Sequence, residues 1–346
     1  MIAAGEFSPG RPPHLQCSQV ARPLALAAWQ FDHAGLWNTK VQHRRRSDAN
    51  FWDSQMTNAT STPPWQPTDL PTLRAAYSDR TAALMAYLAS FAYSDSIGAK
   101  GRITVPPELA ALGFSHITAF HNNLTDGWAY LAESEMLIVL AFRGTRSPLN
   151  WRTNFHAWLV HPANTDPRLL VHQGFYDAFE KLSDGTQGIR QKMAEVQAAT
   201  SGVPVYITGH SLGGALAQIA TAVLGSDRIA ACYTFGSPRV GNFVFDLWVK
   251  PPSYRLINFA DIVPQLPFPI PLVMSYRHSG DPRYMPNEVS GSPFRFEPNF
   301  FQRLEQLAKG LVQLIKAGSI LGIDDHQIGE YCRKLDSIAR ARAQSR

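Results

Sequence analysis

Ser211 lies in Gly209-His210-Ser211-Leu212-Gly213, a spacing in which a serine between glycines can be bent out of a sharp turn and exposed as a nucleophile. A serine hydroxyl is a weak nucleophile at neutral pH. Such use therefore requires a base to take its proton and a carboxylate to orient that base. The pentapeptide alone is a short pattern; its surroundings make it specific. VYIT before it reads as a strand, and Gly214-Ala215-Leu216-Ala217 after it opens a helix whose small residues allow close packing on that strand. The helix N-terminus adds a positive dipole end beneath a developing oxyanion. The implied chemistry is acyl transfer through serine.

In folds built around such an elbow the chain order is serine, acid, histidine. Of the eleven histidines only His278 and His326 follow Ser211. His326 precedes the amphipathic run Ile328 to Ile338, so it sits in a loop at a helix entrance and is the favoured base. His278, in Tyr276-Arg277-His278-Ser279-Gly280, reads as a strand with a following turn and is the alternative. Asp261 ends YRLINFA and precedes Ile262-Val263-Pro264, at a strand's C-terminal edge where ligands gather. Its rivals are Asp246, in a helix-like stretch, and Asp281, after the His278 turn.

An oxyanion needs two donors. The Leu212 N–H supplies one, and the loop Phe142-Arg143-Gly144-Thr145 offers the other through Thr145; a plain turn with a capping threonine is the simpler alternative. Just beyond, Trp151, Phe155 and Trp158/Leu159 recur at helical spacing and give one strongly apolar face. Beside an oxyanion loop such a segment reads as a lid over an apolar cleft rather than as a core helix.

These residues need a scaffold. Residues 80–93 form a helix with Leu84, Tyr87, Leu88 and Phe91 on one face. The continuous apolar runs 136–142, 204–208, 229–235 and 254–259 suit strands buried on both faces, and helices over 186–200 and 212–224 alternate with them. The pattern is α/β, with a mostly parallel central sheet flanked by helices. A proline-bearing loop, 262–271, follows the last of these strands, and the amphipathic run 300–315 reads as core packing. Residues 1–70, rich in Pro, Ser, Thr, Gln and Asn, form a partly irregular extension, and 71–346 the catalytic domain.

Composition narrows the class further. No run approaches eighteen apolar residues, so no transmembrane helix is expected. Cys17, Cys232 and Cys332 are too few for a disulfide framework or metal cluster, and Cys232 reads as a buried thiol. The net charge of +5 resides in the two ends, chiefly Arg44-Arg45-Arg46 and residues 333–346, around a near-neutral body, which argues against a nucleic-acid surface. The opening residues lack the basic start and apolar core of a secretory signal; the chain reads as cytoplasmic by default, and as secreted if a signal is missing from it.

Together, Ala141-Phe142-Arg143-Gly144-Thr145, Val171-His172-Gln173-Gly174-Phe175-Tyr176, the elbow with Gly214-Ala215-Leu216-Ala217, Phe235-Gly236-Ser237-Pro238-Arg239-Val240-Gly241, Asp261-Ile262-Val263-Pro264 and Asp325-His326 resemble the class 3, fungal-type lipases of the α/β-hydrolase superfamily. That family also contains feruloyl esterases and phospholipases A1. The resemblance spans about residues 120–335 in order and implies a triad of Ser211, Asp261 and His326, oxyanion donors at Thr145 and Leu212, and a lid over 148–159. It implies hydrolysis of acylglycerol-like esters at a lipid–water interface, with no metal or organic cofactor. A feruloyl-type esterase or phospholipase A1 is the alternative on the same fold, and a non-catalytic hydrolase-like binding protein the remote one.

Overall fold

The computed structural model describes residues 65–71, 76–97, 100–145, 158–163, 165–225, 227–258, 261–267, 275–285 and 326–344. The chain parts into two units, 1–47 and 48–346, and all described residues belong to the second. The run 300–315 and Cys17 lie outside the described residues.

Ten strands are described: β1 (Gly101–Ile103), β2 (His116–Asn122), β3 (Gly127–Glu133), β4 (Ile138–Phe142), β5 (Leu159–Val160), β6 (Val171–His172), β7 (Val205–His210), β8 (Ile229–Phe235), β9 (Ser253–Asn258) and β10 (Asp281–Met285). Eight form one sheet in the order β1-β2-β3-β4-β7-β8-β9-β10, while β5 and β6 make a separate two-stranded ribbon. From β4 to β10 all neighbours run parallel, and β1 to β4 are joined antiparallel. This is the mostly parallel α/β sheet that the apolar runs predict.

The helices longer than four residues among the described residues are α1 (Asp79–Phe91), α2 (Gln173–Ser183), α3 (Ile189–Ala199), α4 (Leu212–Leu224), α5 (Phe243–Trp248) and α6 (Ile328–Gln344). Side chains alternate across a strand, so each central strand feeds two cores. Val139, Ala141 and Tyr206 face a core shared with α1 and α6, through Leu84, Leu88, Leu335 and Ile338. Ile138, Leu140, Phe142, Val205 and Ile207 face the other, with α2, α3 and α4. A strand buried on both sides must be apolar throughout, which is why β4 carries no polar position.

Trp65 stacks beneath the guanidinium groups of Arg80 on α1 and Arg340 on α6, at 4.8 and 5.8 Å. Among the described residues no helix is long and apolar enough to cross a membrane.

Candidate active site

Parallel register brings the C-terminal ends of four strands to one edge. Phe142 lies opposite Gly209, His210 opposite Phe235, and Phe235 opposite Leu256. The chain leaves β7 at Ser211, which adopts φ 58° and ψ −128°, and enters α4 at once. That is a costly conformation for a residue with a Cβ, and a known storage place for strain at functional sites. Glycines make the turn possible. A Cβ on Gly209 would lie 2.2 Å from the Gly213 carbonyl oxygen, and one on Gly213 would lie 2.3 Å from that of Phe142. The first turn of α4 therefore rests against the exit of β4. Ser211 is held from behind by its N–H, which donates to the Phe235 carbonyl at 2.9 Å.

His326 sits two residues before the first residue of α6, at the helix entrance the sequence predicts. Its Nε2 is 2.9 Å from Ser211 Oγ and its Nδ1 is 2.8 Å from Asp261 Oδ2. A carboxylate accepts, so Nδ1 carries the proton and Nε2 is free to accept from the serine hydroxyl. Asp261 also takes the Val263 N–H on Oδ1 at 2.9 Å and the Tyr331 hydroxyl on Oδ2 at 2.7 Å. Tyr331 Oη in turn accepts the Asn258 N–H at 3.0 Å. Behind them the buried Lys334 donates to Asn258 Oδ1 at 2.6 Å and lies 3.5 Å from Glu330.

The structure thus brings Ser211, His326 and Asp261 together. The rivals are engaged elsewhere. His278 precedes β10, whose Asp281 faces Tyr254 near the start of β9, towards the sheet end remote from the elbow. Asp281 pairs with Arg283 at 2.6 Å, and Asp246, on α5, accepts the Gly280 N–H at 3.0 Å.

Leu212 is the first residue of α4, where helix geometry leaves the N–H without an intrahelical acceptor. The loop bearing Thr145 leaves β4 beside it. A Cβ on Gly144 would lie 3.1 Å from Ser211 Cβ, so this loop passes directly over the serine. Arg143 pins it from below: its guanidinium stacks on Trp128 at 4.6 Å and pairs with Asp126 at 2.9 Å.

The aromatic segment requires a correction. Trp151 and Phe155 lie outside the described residues, but Trp158 and Leu159 do not continue a helix. Leu159 is in β5, paired with His172, and Trp158 is 66% exposed, its carbonyl accepting the Gln173 N–H. Helical spacing misled here because His161 precedes Pro162, which biases the approach toward extended backbone, and the short strand finds a partner in β6.

Several residues of the site carried no motif signal. Tyr93, just past α1, lies 2.9 Å from His210 Nδ1 and accepts the Gly144 N–H at 3.0 Å. Tyr331 and Asn258 are isolated in sequence and meet only through the pairing of α6 with the end of β9. Gly236 was visible in a motif, but its reason was not: a Cβ there would lie 2.6 Å from Asp261 Oδ2 and 3.0 Å from the His326 ring. No group of three or more metal-ligating side chains occurs among the described residues.

Residues 139–270 match the sequence family described as Lipase (class 3). The secreted mono- and diacylglycerol lipase 1 of Fusarium solani is 33% identical over 194 residues, covering 54% of this chain and 54% of its own. The secreted mono- and diacylglycerol lipase A of Penicillium cyclopium is 32% identical over 183 residues, covering 50% and 56%. The chain thus spans about half the length of the curated relatives it matches. Among solved structures, a triacylglycerol lipase whose catalytic centre is formed by a serine protease triad superposes with a TM-score of 0.51 at 27% identity, over 60% of this chain and 81% of that one. The sheet order and the elbow agree with these matches: the chain has the α/β-hydrolase fold, and its residues 139–270 are similar to the class 3 lipases.

Proposed function

We propose that the protein is a carboxylic ester hydrolase acting on acylglycerol-like lipids, with Ser211 as nucleophile, His326 as general base and acid, and Asp261 as the group that orients it. The observation that carries this reading is the hydrogen-bonded line from Ser211 Oγ through the His326 ring to Asp261, at 2.9 and 2.8 Å, standing on the strained elbow. His326 Nε2 takes the hydroxyl proton as Oγ attacks the ester carbonyl, and the carbonyl oxygen becomes an oxyanion received by Leu212 and Thr145. The tetrahedral centre collapses, the C–O bond to the alcohol breaks, and protonated His326 returns the proton to the departing oxygen. Water, deprotonated by the same nitrogen, then attacks the acyl-enzyme; its collapse releases the acid and restores Ser211. Every proton is accounted for by these side chains and water.

The names of the fungal relatives support mono- and diacylglycerols as substrates, and support a secreted protein over the cytoplasmic default. Trp151, Phe155, Trp158 and Leu159 are proposed as substrate-contacting lid residues; of these, Trp158 and Leu159 are among the described residues. In this reading an exposed tryptophan at the rim suits contact with a lipid–water interface.

A fluorophosphonate probe should label the wild type and not Ser211→Ala, whose turnover should fall by roughly 10⁶-fold. A series of p-nitrophenyl esters, with a diacylglycerol, a phospholipid and a feruloyl ester alongside, tests the substrate. Turnover confined to short or aromatic esters would sink the lipid assignment, and an unlabelled wild type the hydrolase.

A further inference from the structure

His210 is buried beside the nucleophile, and the proton transfers above give it no part. Its Nε2 lies 2.7 Å from the main-chain carbonyl oxygen of His326, and its Nδ1 lies 2.9 Å from Tyr93 Oη. That oxygen is in turn 3.0 Å from the Gly144 nitrogen.

Chemistry fixes the direction of each bond. A carbonyl can only accept, so His210 Nε2 carries a hydrogen. Neutral imidazole has one N–H, so Nδ1 is an acceptor and the Tyr93 hydroxyl donates to it. Oη then keeps a lone pair for the Gly144 N–H. One protonation pattern satisfies every member of the chain. Burial, with His326 close by, holds the His210 imidazole well below the usual histidine range, in keeping with a neutral ring. Space is as restrictive as bonding: a Cβ on Gly144 would lie 2.2 Å from Tyr93 Oη and 2.8 Å from the His210 carbonyl oxygen.

The two ends of this chain lie on the two segments that the proposed reaction uses on either side of Ser211. Gly144 precedes Thr145 in the oxyanion loop, and the His326 carbonyl belongs to the backbone of the base. We propose that Tyr93 and His210 are positioning residues that lock the oxyanion loop and the base into one frame on either side of Ser211. The inference rests on the serine-hydrolase reading. Tyr93 suits the task because it stands on a rigid support: its N–H bonds back to Ser90, and α1 packs against α6 and β7. Misplacing a reacting group by about 1 Å costs on the order of 10²-fold in rate, so a tie of this kind acts on turnover rather than on substrate affinity.

The full chain carries the test, with steady-state kinetics on a p-nitrophenyl ester below the thermal transition of every variant. Tyr93→Phe should lower kcat roughly 10- to 100-fold and leave KM within about twofold. It should weaken inhibition by a trifluoromethyl ketone, a mimic of the tetrahedral oxyanion, by a similar factor. His210→Gln keeps an N–H for the His326 carbonyl but offers Tyr93 no ring nitrogen, so its kcat should fall likewise, and the double variant should fall little further. Unchanged kcat with only a lowered midpoint, or losses that multiply in the double variant, would overturn the proposal. A readout independent of variant folding is the ¹⁵N imidazole spectrum of the wild type. It should show His210 as the neutral Nε2–H tautomer at neutral pH; an Nδ1–H form or an imidazolium there would overturn the proposal too. A wild type that neither takes up a fluorophosphonate nor turns over ester fails the hydrolase reading and this inference with it. A labelled, active wild type beside an unimpaired Tyr93→Phe fails this inference alone.

Discussion

Gly236 leaves β8 at φ +57°, and the space where its side chain would begin is filled by Asp261 Oδ2 at 2.6 Å and the His326 ring at 3.0 Å. Both constraints act together, since the left-handed region favours glycine and the neighbouring atoms belong to the proposed triad. Gly236→Ala should therefore move the carboxylate or the ring, and kcat on a p-nitrophenyl ester should fall by roughly 10²-fold. Gly185, also at positive φ but with open space around the Cβ position, is the matched control. Gly185→Ala should cost about 1 kcal/mol of stability and spare kcat. Equal kcat in the two variants would show that the crowding at Gly236 is without consequence. At the same scale, Asp261→Asn should lower kcat by about 10⁴-fold, by favouring the wrong histidine tautomer.

At the scale of elements, α6 does more than cover a core. It carries Tyr331, whose hydroxyl joins Asp261 Oδ2 to the Asn258 N–H, and Lys334, which reaches the Asn258 side chain. Tyr331→Phe would strand a buried N–H and remove one of the carboxylate's donors, so stability should drop by about 1–3 kcal/mol in urea denaturation. A midpoint matching the wild type would contradict this account of the network.

Helix α6 was legible in sequence because its apolar positions repeat at helical spacing behind His326. The strands β4, β7, β8 and β9 were legible because burial on both faces leaves unbroken apolar runs. The antiparallel side was not: in β2 and β3, polar residues such as His116, Thr118, Asn122 and Glu133 dilute the apolar pattern. β10 also escaped notice, since an edge strand tolerates Pro282 and Arg283 where an inner strand would not. The sequence choice of Asp261 rests on its strand-end position, and that of His326 on chain order and histidine scarcity; the structure places His326 beside Ser211 and Asp261 beside His326. Tyr93, Tyr331 and Gly236 could not be chosen in this way, because their meaning lies in contacts between elements far apart in sequence.

For the molecule as a whole, two buried histidines set a limit on the acid side. Burial pushes His172 down to about 4, and its Nδ1 accepts the Phe175 N–H at the start of α2, which requires the neutral ring. His210 is lowered in the same direction by burial and by His326. A histidine depressed in the folded state is stabilising above its unfolded value near 6.5, and that stability drains away as pH falls toward the folded value. For His172 alone the full loss between about 6.5 and 4 is on the order of 3 kcal/mol. The thermal midpoint should fall between about pH 6.5 and 5, above the range where most carboxylates titrate. His172→Asn should flatten that slope even if its neutral-pH midpoint is lower. A wild-type midpoint constant across this interval would contradict the prediction.

The base and its partners are far apart along the chain: His326 follows Ser211 by 115 residues and Asp261 by 65. At a synthesis rate of roughly 5–20 residues per second, a growing polypeptide displays the elbow for on the order of ten seconds before His326 is made. During that interval the serine lacks its proposed proton acceptor, and the face of α1 that α6 will cover is open. If the proposed triad carries the activity, the step that closes the core against α6 is the same step that supplies its base.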